Sequence, residues 1–187
     1  MLIVLTGKTA SGKDTLIKRI LVKYPNFKKV LTTTSRTPRQ DEVDGVDYNF
    51  IPRPEFKQKI DHGDFLEYVE YGGNFYGTEK PQINLAEDLI WKIDPSMAGK
   101  VKLVFPECII IYIATDNETV LKRLKERGFS DEEINKRMQA DQKFWDLYHA
   151  SYDYVVENVP GKLDETIEKI VKIIEDKMSN ETVTVDF

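Results

Sequence analysis

The sequence carries a single cysteine, Cys108, among 187 residues. One thiol cannot close an internal disulfide, so no disulfide framework holds this chain. Its neighbours Ile109, Ile110 and Ile111 suit a buried, inert thiol. Long apolar runs are missing too, and none approaches the ~20 residues of a membrane span. The N-terminus runs straight into an apolar strand-like segment, without the charged region and cleavage site of a secretory leader. Positive charge is in the minority: 27 Lys and Arg stand against 32 Asp and Glu, a net charge of −5. That argues against a general nucleic-acid binder, which shows a basic excess, but leaves room for a local basic pocket. Internal repeats and low-complexity linkers are absent. These absences lead to the expectation of a cytoplasmic protein with no nucleic-acid and no membrane partner, a monomer or a homo-oligomer.

What is present is an ordinary globular composition, 41% hydrophobic and 32% charged. The length suits one compact domain with a substantial core, or one core bearing small lobes. The most informative stretch is Gly7–Thr15, G-K-T-A-S-G-K-D-T. The apolar run Leu2-Ile3-Val4-Leu5 precedes it, and a helical pattern with Leu16, Ile17, Ile20 and Leu21 on one side follows. Strand, glycine loop, helix is the context in which G-x-x-x-x-G-K becomes a phosphate-binding loop. Gly7 and Gly12 permit positive φ, the loop N–H groups converge on phosphate oxygens, and Lys13 reaches the outer phosphates. Gly7, Ala10, Ser11, Gly12, Lys13, Asp14 and Thr15 are therefore candidate ATP-binding residues. The motif ordinarily has Ser or Thr after its lysine, where the hydroxyl ligates Mg²⁺. Here Asp14 stands in that place, a hard oxygen ligand able to hold Mg²⁺ directly or through water.

Further along, Tyr24-Pro25 ends the first helix and Val30–Thr34 is strand-like. Asp47–Ile51 reads as a short strand, 54–61 as a short helix, Phe65–Tyr71 as a strand, and 75–78 completes a small, mostly β insert over 32–78. The pattern then predicts a helix over 81–89, a strand over 89–93, an apolar segment over 101–104 and a buried strand over 108–114. Helices are expected from Val120 to Leu124 and, after the break at Arg127-Gly128-Phe129-Ser130, from Asp131 to about His149. Ser130 is the expected N-cap of the second. A short strand at 154–156, an amphipathic helix over 163–178 and a loose tail over 179–187 complete the reading. Strands alternating with helices give an α/β fold with a parallel sheet, and the phosphate loop belongs at the carboxyl end of its first strand.

A phosphate loop names no reaction. Within the insert Thr32, Arg36, Arg39, Tyr48, Glu67, Tyr76 and Thr78 stand out. Arg36 and Arg39, stiffened by Thr37-Pro38, can converge on one phosphate, since guanidinium forks match phosphate oxygens. They suit a solvated surface pair equally well, and Glu67 taken alone suits an ordinary edge-strand charge. Arg123 and Arg127 share a helix face, and Arg137 lies beyond the glycine break. Such a piece can act as a lid over transferring phosphates, or as a solvated face paired with Glu126, Asp131, Glu132 or Glu133.

Together these stretches resemble the guanylate kinase family: G-K-T-A-S-G-K-D-T-L at 7–16, T-S-R-T-P-R at 34–39, D-G-V-D-Y-N-F at 44–50, F-L-E at 65–67, G-N-F-Y-G-T at 73–78, K-R-L-K-E-R-G at 122–128 and I-N-K-R-M at 134–138. The resemblance implies a single domain over 1–187. Its P-loop kinase core is 1–31 and 79–187, its NMP-binding insert 32–78 and its helical lid about 125–142. It implies ATP-dependent phosphorylation of GMP or dGMP with Mg²⁺. Arg36, Arg39, Tyr48 and Tyr76 would hold the acceptor phosphate, and Thr32, Glu67, Thr78 and Asp94 would recognise guanine. Lys13, Arg36, Arg123, Arg127 and Arg137 would be catalytic, and Asn158 would lie near the ATP adenine. The chain departs from the family at Asp14, at Lys92-Ile93-Asp94, where the family reads D-x-D, and at the additional Pro95-Ser96. The G-K-D string also resembles ribose 1,5-bisphosphate kinases, and some guanylate kinase-like domains are non-catalytic protein-interaction modules. The guanine-site residues speak against the first and the complete phosphate loop against the second.

Overall fold

The computed structural model describes residues 1–182. In chain order the elements are Leu2–Gly7 (β1), Lys13–Lys23 (α1), Lys28–Lys29 (β2), Thr33–Thr34 (β3), Asn49–Phe50 (β4), Arg53–Asp61 (α2), Phe65–Tyr71 (β5) and Asn74–Glu79 (β6). They continue as Leu89–Lys92 (β7), Ala98–Val104 (α3), Ile109–Ala114 (β8), Asn117–Glu126 (α4), Asp131–Tyr148 (α5), Tyr154–Glu157 (β9) and Leu163–Thr182 (α6).

Five strands form a parallel sheet in the order β2-β7-β1-β8-β9. All six residues of β1 are buried, as a central parallel strand covered on both faces requires. The period of two divides its side chains between two cores. Ile3 and Leu5 meet Leu16, Ile17 and Ile20 of α1 and Ile170 and Ile174 of α6. Leu2 and Val4 point the other way, to Trp91, Met97, Val101 and Ile110. The chain leaves β1 towards β2 on one side and later crosses from β7 to β8 on the other. Ligands of open α/β sheets bind outside the carboxyl ends of the strands where such a reversal occurs. Gly7 at the end of β1 and Lys92 at the end of β7 share that rim, with Leu5 in register with Lys92 and Gly7 with Ile113.

A second sheet has the order β4-β3-β6-β5, with β3 and β4 parallel and the other pairs antiparallel. Its own small core is the aromatic stack of Phe56 on Phe65 and Phe75, with centroids 4.3 and 5.2 Å apart.

Three local expectations need correction. Residues 30–34 are not one strand: the chain leaves one sheet and enters the other there. Val30 N–H still bonds Ile90 O, whereas Thr32 O already accepts from Asn49 N–H. The helix expected over 81–89 is a single tight turn at Lys80–Gln82 followed by loop. Asn84 captures the Ala86 N–H with its side chain at 3.2 Å, the local competition that makes Asn a poor helix-interior residue. The apolar segment 101–104 is the end of α3. The last helix runs to Thr182, so 179–182 are helical, with Ser179 Oγ donating to Glu175 O at 2.9 Å. The rest of the expected loose tail, 183–187, lies outside the described residues. Ser130 caps α5 as expected, in a reciprocal capping box with Glu133.

Candidate active site

The loop after β1 is shaped by residues with no conformational alternative. Gly7 has φ 144°, and a Cβ there would lie 2.5 Å from Ile113 O. Gly12, at φ 94°, opens α1, and a Cβ on it would meet Asn158 Nδ2 at 2.5 Å. Ala10 is left-handed at φ 62° without being glycine. Side chains from distant elements hold this backbone in place. Asn158 Nδ2 donates to Ser11 O at 2.7 Å, Arg123 to Ala10 O at 2.8 Å, and Asp141 accepts the Thr9 N–H at 3.0 Å. Lys13 curls over its own loop, donating to Gly7 O at 2.7 Å, Lys8 O at 2.8 Å and Ser11 Oγ at 3.1 Å. Burial pulls its pKa down to about 8, against the opposing pull of Asp14 and Asp141. A lysine bonded only to carbonyls and a hydroxyl is a cation awaiting an anion.

A cleft opens in front of this loop. Thr9, Lys13 and Asp14 of the loop line it together with Thr32, Arg36, Arg39, Tyr48, Tyr76, Lys92, Asp94, Arg127 and Arg137. Arg36 is clamped bidentately by Glu42 at 2.7 and 2.9 Å and lies 5.3 Å from the Tyr48 ring centroid. Burial opposes its charge, but Glu42 outweighs that and raises its pKa. Its Nε has no partner, and neither has the buried hydroxyl of Thr32. Both belong to residues that line the cleft, where buried polar atoms without partners are the exception. Behind the loop a second recess is lined by Gly12, Thr15, Arg123, Arg127, Asn158 and Pro160. Two cavities astride one phosphate loop suit two substrates joined through a phosphoryl group.

The guanylate kinase family model matches residues 1–177. A guanylate kinase of Shouchella clausii is 37% identical over 180 residues, covering 93% of this chain and 86% of that protein. One of Caldanaerobacter subterraneus is 38% identical over the same shares. The chain belongs to the guanylate kinase family. The crystal structure of guanylate kinase from Anaplasma phagocytophilum superposes with a TM-score of 0.70 at 26% identity, covering 95% of this chain and 85% of that one. The chain is thus an enzyme, a nucleotide kinase and a transferase. Among the described residues no helix is long and apolar enough to cross a membrane.

In this guanylate kinase the expected site residues separate into three places. Thr32, Arg36, Arg39, Tyr48, Tyr76, Asp94, Arg127 and Arg137 line the main cleft with Gly7, Ala10, Lys13 and Asp14. Gly12, Thr15, Arg123 and Asn158 line the recess behind, and Ser11 is fully buried beneath the loop. Glu67 and Thr78 lie apart from the cleft's lining, opposite one another on β5 and β6. Thr78 is fully buried, accepts the Trp91 indole N–H at 2.9 Å, and its hydroxyl also bonds the Glu67 carboxyl. Burial, with Asp94 nearby, raises Glu67 to about 7. Arg137 stacks between Tyr71 and Phe129, 4.8 and 4.4 Å from their centroids.

Three contacts of this site escape sequence reasoning. Tyr71 bonds Thr9 Oγ1 at 2.8 Å and ties the second sheet to the phosphate loop. Asp141, only 4% exposed, ties α5 to the same loop. A signal for it exists: Ile134, Met138, Asp141 and Trp145 recur at helical spacing, which sets a carboxylate in an otherwise apolar stripe. Finally, Lys92 pairs with Asp14 and donates to the Tyr48 hydroxyl at 2.6 Å. Partial burial would raise Asp14, but Lys92 and Lys13 outweigh it and hold that carboxyl at about 2.

Proposed function

We propose that this guanylate kinase transfers the γ-phosphoryl group of ATP to GMP or dGMP within the main cleft, giving ADP and GDP or dGDP. The observation that carries the reading is the meeting, in one cleft, of the phosphate-loop Lys13 with Arg36, Arg39, Tyr48 and Tyr76. In this reading 32–78 is the acceptor-binding insert and about 125–142 the lid. Arg36, Arg39, Tyr48 and Tyr76 take the acceptor phosphate; Thr32, Glu67 and Asp94 take guanine, with Thr78 orienting Glu67. The ATP phosphates lie along Gly7–Thr15, with adenine in the recess beside Asn158. The transferred group passes through a loose transition state with charge spread over its oxygens, so positioned cations matter more than a strong base. Lys13 leaves its carbonyl partners for those oxygens, and Arg123, Arg127 and Arg137 neutralise the remainder. Arg137, held by Tyr71 of the insert, couples lid to insert. Closure of both excludes water and suppresses hydrolysis of ATP.

The residues fit a magnesium ion through one protein oxygen. No group of three or more His, Cys, Asp or Glu among the described residues could cage a metal. Mg²⁺ bound with a nucleotide, however, takes most of its ligands from phosphates and water and only one or two carboxylates from protein. Asp14, ionised and half-exposed at the mouth of the loop, is such a carboxylate. Bound there, Mg²⁺ supplies charge neutralisation to the ATP phosphates. The expected compartment is the cytoplasm, where the buried Cys108, raised to about 11 by its burial, stays a thiol.

The test is a coupled ADP-release assay with ATP–Mg²⁺, offering GMP, dGMP, AMP, UMP and ribose 1,5-bisphosphate in parallel. Turnover with the guanine nucleotides alone is expected. Turnover only with the ribose bisphosphate, or with no acceptor at all, overturns the reading.

A further inference from the structure

We propose that Lys92 is a phosphate-contacting residue of this enzyme, a cation that joins Arg36 and Arg39 in holding the acceptor phosphate. Lys92 ends β7, beside the phosphate loop at the carboxyl rim of the sheet. Its side chain is 9% exposed, and that remnant faces the main cleft. The ammonium spans the two halves of the site. One N–H goes to the Asp14 carboxylate on the loop side, and another goes to the Tyr48 hydroxyl, at 2.6 Å, on the insert side. The ammonium also lies 4.1 Å from the Tyr48 ring centroid. An ammonium has three N–H donors, so one is left without a partner among the described residues.

Asp14 is the carboxylate that pairs with Lys92, and it is shared with Lys13 and Lys29. Those two have further carboxylates, Asp141 and Asp94 for Lys13 and Asp47 for Lys29. Arg36 also approaches the Tyr48 ring, with its own charge paired by Glu42. A buried ammonium that shares its counter-ion with other cations is poised to meet an anion. Lys92 and Arg36 both approach the Tyr48 ring, so a phosphate oxygen placed within reach of the Tyr48 hydroxyl and Arg36 is also within reach of Lys92.

The inference rests on the two-substrate reading of the cleft, and its test separates the two. GMP and guanosine are titrated by calorimetry, without ATP or metal, into the wild-type chain, K92M and the double variant D14N/K92M. Loss of a charge-assisted phosphate contact predicts at least about tenfold weaker GMP binding in K92M, with guanosine binding within twofold of wild type. The double variant removes the stranded carboxylate as well as the lysine, and it serves should K92M fold poorly. It keeps the tenfold loss for GMP if Lys92 touches phosphate. Recovery of wild-type GMP affinity in the double variant overturns the proposal, because Lys92 then does no more than neutralise Asp14. Equal weakening of guanosine and GMP overturns it as well. Failure of the wild-type chain to bind GMP would sink the cleft reading itself, whatever Lys92 does.

Discussion

With Glu67 in the guanine-binding role proposed above, the binding of guanine becomes a proton-linked event. Guanine presents N–H donors at N1 and at its 2-amino group. Only an ionised carboxylate can accept both, since the protonated form spends one oxygen as a donor. Burial, reinforced by Asp94, holds Glu67 at about 7 against a contrary pull from the Thr78 hydroxyl. Above that value the carboxylate is ready; below it, binding must first expel a proton. The apparent dissociation constant scales as one plus the ratio of protonated to ionised Glu67. That factor is close to 1 at pH 8 and about 11 at pH 6, so affinity for GMP falls about tenfold, or about 1.4 kcal/mol, across two pH units. A phosphate monoester gains its own proton near pH 6, which adds a factor of about two at that end of the range. E67Q separates the two effects. Glutamine offers one acceptor oxygen and turns an amino group towards guanine's donors, so GMP binds at least about tenfold more weakly at pH 8. Its remaining pH dependence is the twofold effect of the phosphate. Calorimetric titration at pH 6, 7 and 8, in buffers of differing ionisation enthalpy, reads both the affinity and the proton release. Parallel pH profiles for wild type and E67Q would refute the reasoning, as would an equal rise in the Michaelis constant for ATP.

Four further outcomes are expected. R36A raises the Michaelis constant for GMP at least about tenfold and leaves that for ATP within twofold, read from initial rates with each substrate varied. T78V removes a hydrogen bond that lowers Glu67 and strands the Trp91 indole N–H, so the midpoint of the GMP pH profile moves upward while chemical denaturation shows a loss of about 1–3 kcal/mol. Asp141 is raised to about 6 by burial, so the folded state holds its proton over a range where the unfolded chain has lost it; stability present below about pH 4 is lost as pH rises through about 6. D141N keeps an oxygen for the Thr9 N–H and gains up to about 3 kcal/mol over wild type at pH 7.5 but nothing at pH 4, read by melting at both values. D14S restores the motif's usual hydroxyl and strands Lys92; Asp14 is half-exposed, which discounts the cost of a broken buried pair to about 2 kcal/mol, a fall in Tm of about 4–8 °C by calorimetry.

The parts of this molecule legible in its sequence are those whose physics is local. Leu2–Gly7 is an unbroken apolar run because a central parallel strand is covered on both faces. Gly7 and Gly12 are glycine because Ile113 and Asn158 leave no room for a Cβ. The loop and its helix could be read without knowledge of anything else in the chain. The arginines were ambiguous for the converse reason: Arg36 is told from a solvated surface residue only by its Glu42 clamp and its burial against Tyr48, both products of the folded insert. Residues 30–34 misled because β-branched residues declare extended backbone but not which sheet receives it. The helix expected over 81–89 failed on a single Asn84 side chain. Glu67 and Thr78 stand out along the chain, yet their partnership across two strands, with Trp91 behind, is a matter of register and packing.

The two departures at the phosphate loop also look different in three dimensions. Read along the chain, Asp14 puts a negative charge beside a triphosphate, and Lys92 puts a positive charge where an acid is usual; each alone reads as damage. In the fold they touch. A lysine 9% exposed at the end of a core strand needs a counter-charge within reach, and the residue after Lys13 is on the adjacent rim of the same sheet. Once Lys92 is there, a hydroxyl at position 14 would leave the ammonium with Tyr48 alone. Once Asp14 is there, its repulsion of phosphate needs an answering cation. Neither substitution is comfortable without the other, so the pair is a single electrostatic unit 78 residues apart in the chain. That unit pairs the two charges between loop and strand, and in the proposed reading it sets the cation on the acceptor side and the carboxylate on the ATP side. The chemistry expected of the family is retained with its charges redistributed across the same few ångströms.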